Sequence, residues 1–295
     1  MTPVDRDKRA GLLFGSFAAD ALSLGVHWIY DTDELEGKFG YVDQFYAPGK
    51  DSYHPNKEAG AQSHVGDQAL QLAQFLNNNR SWSGEAFFRD WTTLWADYNH
   101  YFDHATKTVL ENIQNGLGVY EAASESRELA GPGRIAPLVA FLFEESEEVV
   151  VKACVEQTVL THNSPETLEA TTFLASATHR LGKGAPLTDT LKETAPQWAF
   201  EKAESVQDQE AIEAIGKLGQ SCTTPSALPA VIYLALRHGE DLPKAFSENA
   251  MAGGDNCARA LALGMLLGAA HGIERIPPQW IENLTSKGTL KSLLK

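Results

Sequence analysis

The sequence is poor in cysteine and in positive charge, and it has no long apolar run. Its three cysteines, Cys154, Cys222 and Cys257, lie far apart among 295 residues. That scarcity excludes a disulfide scaffold and a cysteine-built metal motif, and it suits reduced thiols in the cytoplasm. Lys and Arg number 24 against 39 Asp and Glu, a formal net charge of −15. So acidic a chain is not expected to bind nucleic acid or an anionic membrane, and an anionic small ligand would need a local basic pocket. The longest apolar stretch, near residues 258–270, is too short to span a bilayer. Met1-Thr2-Pro3-Val4-Asp5 is polar and acquires an acid early, so no secretory signal is expected. Alternating strand patterns, repeats and linkers are missing as well. These absences leave one all-α domain over residues 1–295, with cytoplasmic location expected and about a dozen helices.

What is present centres on one stretch, Gly253-Gly254-Asp255-Asn256-Cys257-Ala258-Arg259-Ala260, which runs through apolar and small residues to His271-Gly272. The glycines permit a tight turn. Asp255 and Asn256 stand where helix N-caps stand, and everything after Ala258 is small or apolar all round, the mark of a buried helix. Ala260, Gly264 and Gly268 form a ridge of small residues at every fourth position. A first helix over 7–24 carries the same device at Gly11, Gly15 and Ala19. Such ridges let two helices approach closely. Antiparallel packing would carry Asp20 towards Asp255 from the other end of the chain.

Between these helices the spacing predicts a short helix from Asp31, a long loop over 39–62 containing Tyr53-His54-Pro55-Asn56-Lys57, and a helix capped by Ser63. Further helices are expected over 85–101, 106–115, 137–143, 146–161, 166–181, 188–203, 208–217, 226–238 and 242–252. The aromatic residues Phe87, Phe88, Trp91 and Trp95 read as core. His100 and His104 are spaced as a metal pair but have no evident third ligand. A glycine-rich turn at 128–137 holds Arg134, and Ser164-Pro165 opens a helix after Thr161-His162.

At this point the residues resemble the ADP-ribosylglycohydrolases, an all-α family that includes the jellyfish J1-type crystallins. Gly15-Ser16-Phe17-Ala18-Ala19-Asp20-Ala21-Leu22 is similar to the family's first helix. Thr161-His162-Asn163-Ser164-Pro165 is similar to its mid-chain Thr-His motif, and Gly253-Gly254-Asp255 with Gly264 and Gly268 to its closing helix. The turn from Gly131 to Pro137 is similar to its substrate-binding glycine loop. The resemblance implies hydrolysis of a glycosidic bond to ADP-ribose assisted by two magnesium ions. Here, however, Ser63-His64-Val65 and Asp255-Asn256-Cys257-Ala258 occupy the two metal-binding turns. Val65 and Ala258 offer no donor and Cys257 is soft, whereas magnesium wants hard oxygens. No two-magnesium centre and no other cofactor are therefore expected; a single magnesium, if bound, would use Ser63 and Asp255.

The expected function is glycosidic hydrolysis of an ADP-ribosyl or related ribosyl compound, free or as an ADP-ribosylated substrate, without that centre. Asp255 or Asp67 would serve as base and stabiliser and His64 as acid or orienting group. Lys57, Arg134 or Arg259 would meet phosphate oxygens, and His54, Gln68, His162 and Asn256 would complete the substrate-binding set. The alternative is a non-catalytic relative, either an ADP-ribose-binding module or a crystallin-like structural protein.

Overall fold

The computed structural model describes residues 1–295. It contains seventeen α-helices, one 3-10 turn and no strand; pairing outside helices is limited to two isolated bridges, Ser124 with His162 and Glu128 with Thr223. The helices begin with α1 (Pro3–Leu24), α2 (Thr32–Phe39), α3 (His64–Asn79), α4 (Gly84–Leu94), α5 (His104–Gln114) and α6 (Ala130–Gly133). They continue with α7 (Ala136–Phe141), α8 (Glu147–Val159), α9 (Pro165–Gly182), α10 (Leu187–Thr194), α11 (Gln197–Glu204) and α12 (Ala211–Leu218). The chain closes with α13 (Thr224–His238), α14 (Leu242–Met251), α15 (Asn256–His271), α16 (Pro278–Asn283) and α17 (Lys287–Leu293). None of them is long and apolar enough to cross a membrane.

The two small-residue ridges meet. α1 and α15 lie antiparallel at the centre, with Gly11 against Gly268 and Gly15 against Gly264, so closely that each glycine's missing Cβ position falls on the partner's backbone carbonyl. Further along, the Ser16 hydroxyl donates to the Leu261 carbonyl at 3.0 Å, and Cys257 packs on the Asp20 carbonyl. All residues of α1 from Gly11 onward, and of α15 up to Ala269, are buried. α9, α13 and α14 cover α15, while α7 and α14 cover α1. Two helices without a polar face can exist only where neighbours wrap them on every side.

Local chemistry sets the helix starts. Thr2 closes a capping box with Asp5, and Ser63 accepts from the Gly66 N–H, the cap expected from the sequence. Ser164 caps α9 with Pro165 in its first turn. Three expectations fail. The helix expected over 188–203 is two, because Pro196 has no N–H to donate and holds Ala195 extended at ψ 144°. The helix expected over 85–101 stops at Leu94, and the freed segment carries Tyr101 to the cavity described below and Tyr98 to Asp67. The short α16 and α17 lie beyond Gly272, where no helix was expected; Pro278 starts the first of them.

The clasp also positions α3. Asp20, fully buried, accepts the Ser63 N–H at 2.8 Å just before α3 begins. Burial pushes its carboxyl up to about 7, against the hydrogen bonds from Ser63 that favour the anion.

Two predictions follow from this packing. Gly264→Ala should cost about 1–3 kcal/mol or more by overpacking, whereas Gly288→Ala, in a helix where nothing lies within 4 Å of the new methyl, should be neutral; paired denaturation curves compare them. Because Asp20 titrates higher folded than unfolded, the stability it contributes is full below about pH 4 and is lost as pH rises through about 7. Asp20→Asn should flatten that part of the decline in melting temperature, and an unchanged slope would refute the assignment.

Candidate active site

Past its glycine contacts, α1 gives way to a turn that stays in register with the chain entering α15. The Trp28 N–H donates to the Gly254 carbonyl at 2.9 Å, and the Gly254 N–H donates to the Ile29 carbonyl at 2.8 Å. Gly253 and Gly254 adopt φ of 64° and 67°, a region that a residue with a Cβ enters only at a cost. Trp28 also has φ of 64°, a strained value for a bulky residue. Its indole N–H is held by the Asp255 carboxylate at 3.0 Å. Strain maintained by surrounding bonds clusters at functional sites.

This junction opens into a cavity of about 530 Å³. Its aromatic walls are Trp28, Tyr30, Tyr53 and Tyr101, of which Tyr30 and Tyr53 are more than half exposed at the mouth. Tyr53 and Tyr101 stand edge-on to Trp28, with ring centroids 4.9 and 4.7 Å away. Its polar lining consists of Asp103, Glu128, Asp255, His64 and Cys222, with Val65, Ala130 and Ala258 filling in. No lysine or arginine lines it. Burial, reinforced by the negative charges of Asp103 and Asp255, pushes the Glu128 carboxyl up to about 7. The Cys222 thiol lies 3.6 Å from Glu128, and His162 Nε2 lies 3.9 Å from its other oxygen. A half-protonated carboxylic acid near neutral pH, beside carboxylates inside a hydrophobic cleft, has the character of a general acid.

Trp28 also packs against three imidazoles. His27, His54 and His64 are all buried, and one nitrogen from each falls within 4.8 Å of the others. Burial holds all three rings neutral, pushing His54 down to about 2.

Among the residues expected to act, His64 and Asp255 line the same cavity although nearly the whole chain separates them. Asp255 precedes α15 as expected, but its side chain binds Trp28 and does not cap the helix. Asp67, one turn into α3, faces away. It pairs with Lys57 at 2.5 Å and accepts the Tyr98 hydroxyl at 2.6 Å. Three phosphate contacts need correction. Lys57 is spent on Asp67. Arg134 is buried against Gln68 and Thr161, and Arg259 is buried against Asn249 and the Gly253 carbonyl, where it fixes the glycine turn. None of the three lines the cavity.

The remaining expected ligand contacts also sit behind its wall. Gln68 accepts the Trp91 indole N–H, His162 packs beneath Gly131, and Asn256 binds His27. His54 belongs to the imidazole cluster. The sequence reading missed Trp28, Tyr30, Tyr101, Asp103 and Glu128, all in loops or at helix starts. An excess of aromatic residues in segments without helical period was the available signal.

The two-magnesium centre implied by the resemblance is poorly matched by the side chains at the two turns. The Ser63 hydroxyl caps α3, Asp20 is engaged by Ser63, Cys257 is buried on α1, and the side chains gathered at the α3 start are imidazoles. Asp255 is the one carboxylate of the two turns that faces the cavity. Neutral nitrogens do not satisfy magnesium.

Comparison with known proteins agrees with this architecture. The chain is 23% identical over 306 residues to Crystallin J1A of Tripedalia cystophora, covering 96% of this chain and 93% of that protein. A solved structure described as an ADP-ribosylglycohydrolase-related protein complex superposes with a TM-score of 0.76 at 22% identity, covering 99% of this chain and 98% of that one. At that identity the likeness speaks for the fold. The profile of the ADP-ribosylglycohydrolase family matches residues 1–295, and the chain belongs to that family.

Proposed function

We propose that the protein is a hydrolase that cleaves a glycosidic bond to ADP-ribose or a related ribosyl compound, with the reacting sugar in the Trp28–Tyr101 cavity. The observation that carries this reading is the pairing of Asp255 with the raised carboxyl of Glu128 in one aromatic-walled cleft. Glycoside hydrolysis passes through an oxocarbenium-like state and needs one acid and one carboxylate. Glu128 donates a proton to the leaving group, and Asp255 stabilises the developing positive charge and activates water. Asp67, held by Lys57, has no part in this scheme.

Charge narrows the substrate. Three carboxylates and no cation line the cavity, so a neutral or cationic leaving group such as a guanidinium is favoured inside, and phosphates are not. Phosphates would lie at the mouth. The exposed Lys107 ammonium, 5.9 Å from the Tyr101 ring, is a cation outside the lining that could meet them.

The similarity to a crystallin along almost the whole chain favours a second reading, a non-catalytic ligand-binding or structural protein. Assays on ADP-ribosyl-arginine, ADP-ribosyl-serine and ADP-ribose esters separate the two. The hydrolase reading expects turnover with a preference for the arginine linkage and a rate that falls as pH rises through about 7, where Glu128 loses its proton. Glu128→Gln and Asp255→Asn should each lower kcat by about 10²–10⁴-fold while leaving the far-ultraviolet spectrum intact. No turnover on any of these compounds, together with no ADP-ribose binding by calorimetry, would support the structural reading instead.

A further inference from the structure

We infer that His27, His54 and His64 form a binding site for one divalent transition-metal ion of the zinc class. The proposal does not depend on the hydrolase reading.

The ring geometry leads the argument. The centroids stand 5.7 Å apart for His27 and His54, 5.4 Å for His54 and His64, and 6.0 Å for His27 and His64. That is a nearly equilateral triangle, so the rings are not a linear stack. Trp28 lies 4.1, 5.5 and 5.5 Å from the three centroids with its plane 15–31° from theirs. One indole almost parallel to all three rings, and near all three, covers the triangle as a lid. The three imidazoles surround the centre of that triangle, with one nitrogen of each within 4.8 Å of the others. A point at its centre is roughly 3.3 Å from each centroid. A metal–nitrogen bond of about 2.0–2.1 Å plus the distance from nitrogen to ring centre requires that spacing.

Hydrogen bonding supplies an independent observation. His27 Nε2, both nitrogens of His54 and Nδ1 of His64 are buried without a partner. Buried polar atoms normally find one, so four orphans in one cluster point to a missing ligand. The tautomer of His27 is set for that role. The Asn256 amide nitrogen donates to the Ala250 carbonyl, which turns its oxygen towards His27 Nδ1 at 2.9 Å. Nδ1 then carries the proton and Nε2 presents a lone pair to the centre, the usual support behind a ligating histidine. His64 Nε2 faces Asp103 at 3.9 Å in the same sense, which leaves Nδ1 free. Neutral imidazoles select zinc, cobalt, nickel or copper over magnesium. Asp255 Oδ1 lies 3.9 Å from His27 Nε2, and its negative charge would balance that of the ion.

The test uses the full-length protein freed of metal by chelator and titrated with Co²⁺ and with Zn²⁺. The expected result is one equivalent bound, visible as cobalt d–d absorption that Zn²⁺ displaces, and a rise in melting temperature with Zn²⁺ but not with Mg²⁺. His54→Ala and His64→Gln should each lose the absorption and the thermal shift. His54 lies in the 40–63 loop, outside the packed helices, so its variant retains the fold; His238→Ala should behave as wild type. Absence of cobalt absorption in the wild-type protein would overturn the proposal. So would a site that survives in both His54→Ala and His64→Gln. Neither readout requires turnover, so failure here leaves the hydrolase assay to be judged separately.

Discussion

The structure depends on the contact between the backbones of α1 and α15. Gly11 and Gly15 meet Gly268 and Gly264 with no side chain between them. Dispersion falls steeply with distance, so removing four Cβ atoms from this seam brings two rows of backbone atoms into direct contact. The register fixed there extends through Ser16–Leu261 and Asp20–Cys257 to the paired backbone of Trp28 and Gly254. The two ends of the chain thus meet at one place. Asp20 reaches sideways to the start of α3, and His64 follows directly. The cavity is a consequence of the seam.

The polar groups at that junction divide by depth. Arg134, Arg259, Gln68 and Asn256 are consumed inside the wall, where they close hydrogen bonds that burial would otherwise leave open. Glu128 and Asp255 face the space, and Trp28 packs on three imidazoles with orphaned nitrogens, of which His64 also lines the space. A chain retained only for packing gains nothing from buried polar atoms without partners. Carboxylates and imidazoles together give the junction the donors for proton transfer on the cavity side and for a soft cation behind it.

The fold was largely legible because helices announce themselves by spacing. The ridges at 11, 15, 19 and at 260, 264, 268, the Ser63 and Ser164 caps and the Gly253-Gly254 turn need no more than local chemistry to read. The site was legible only where it lies on those helices, at His64 and Asp255. Trp28, Tyr101, Asp103 and Glu128 come from turns and loops whose direction is set by tertiary contacts, and no period marks them. Arg134 and Arg259 show the converse. A sequence displays charge but not depth, and an arginine that satisfies buried carbonyls and amides looks the same as one that meets phosphate. His27 was passed over for a similar reason, since its neighbours in the cluster lie 27 and 37 positions away.

A crystal structure with ADP-ribose diffused into the protein tests the central claim, that the junction of α1 and α15 is a working cleft. The account predicts the ribose between Trp28 and Tyr101, its anomeric carbon facing Asp255 and Glu128, with the phosphates outside towards Lys107. An empty cavity, or ADP-ribose bound elsewhere on the surface, would contradict it.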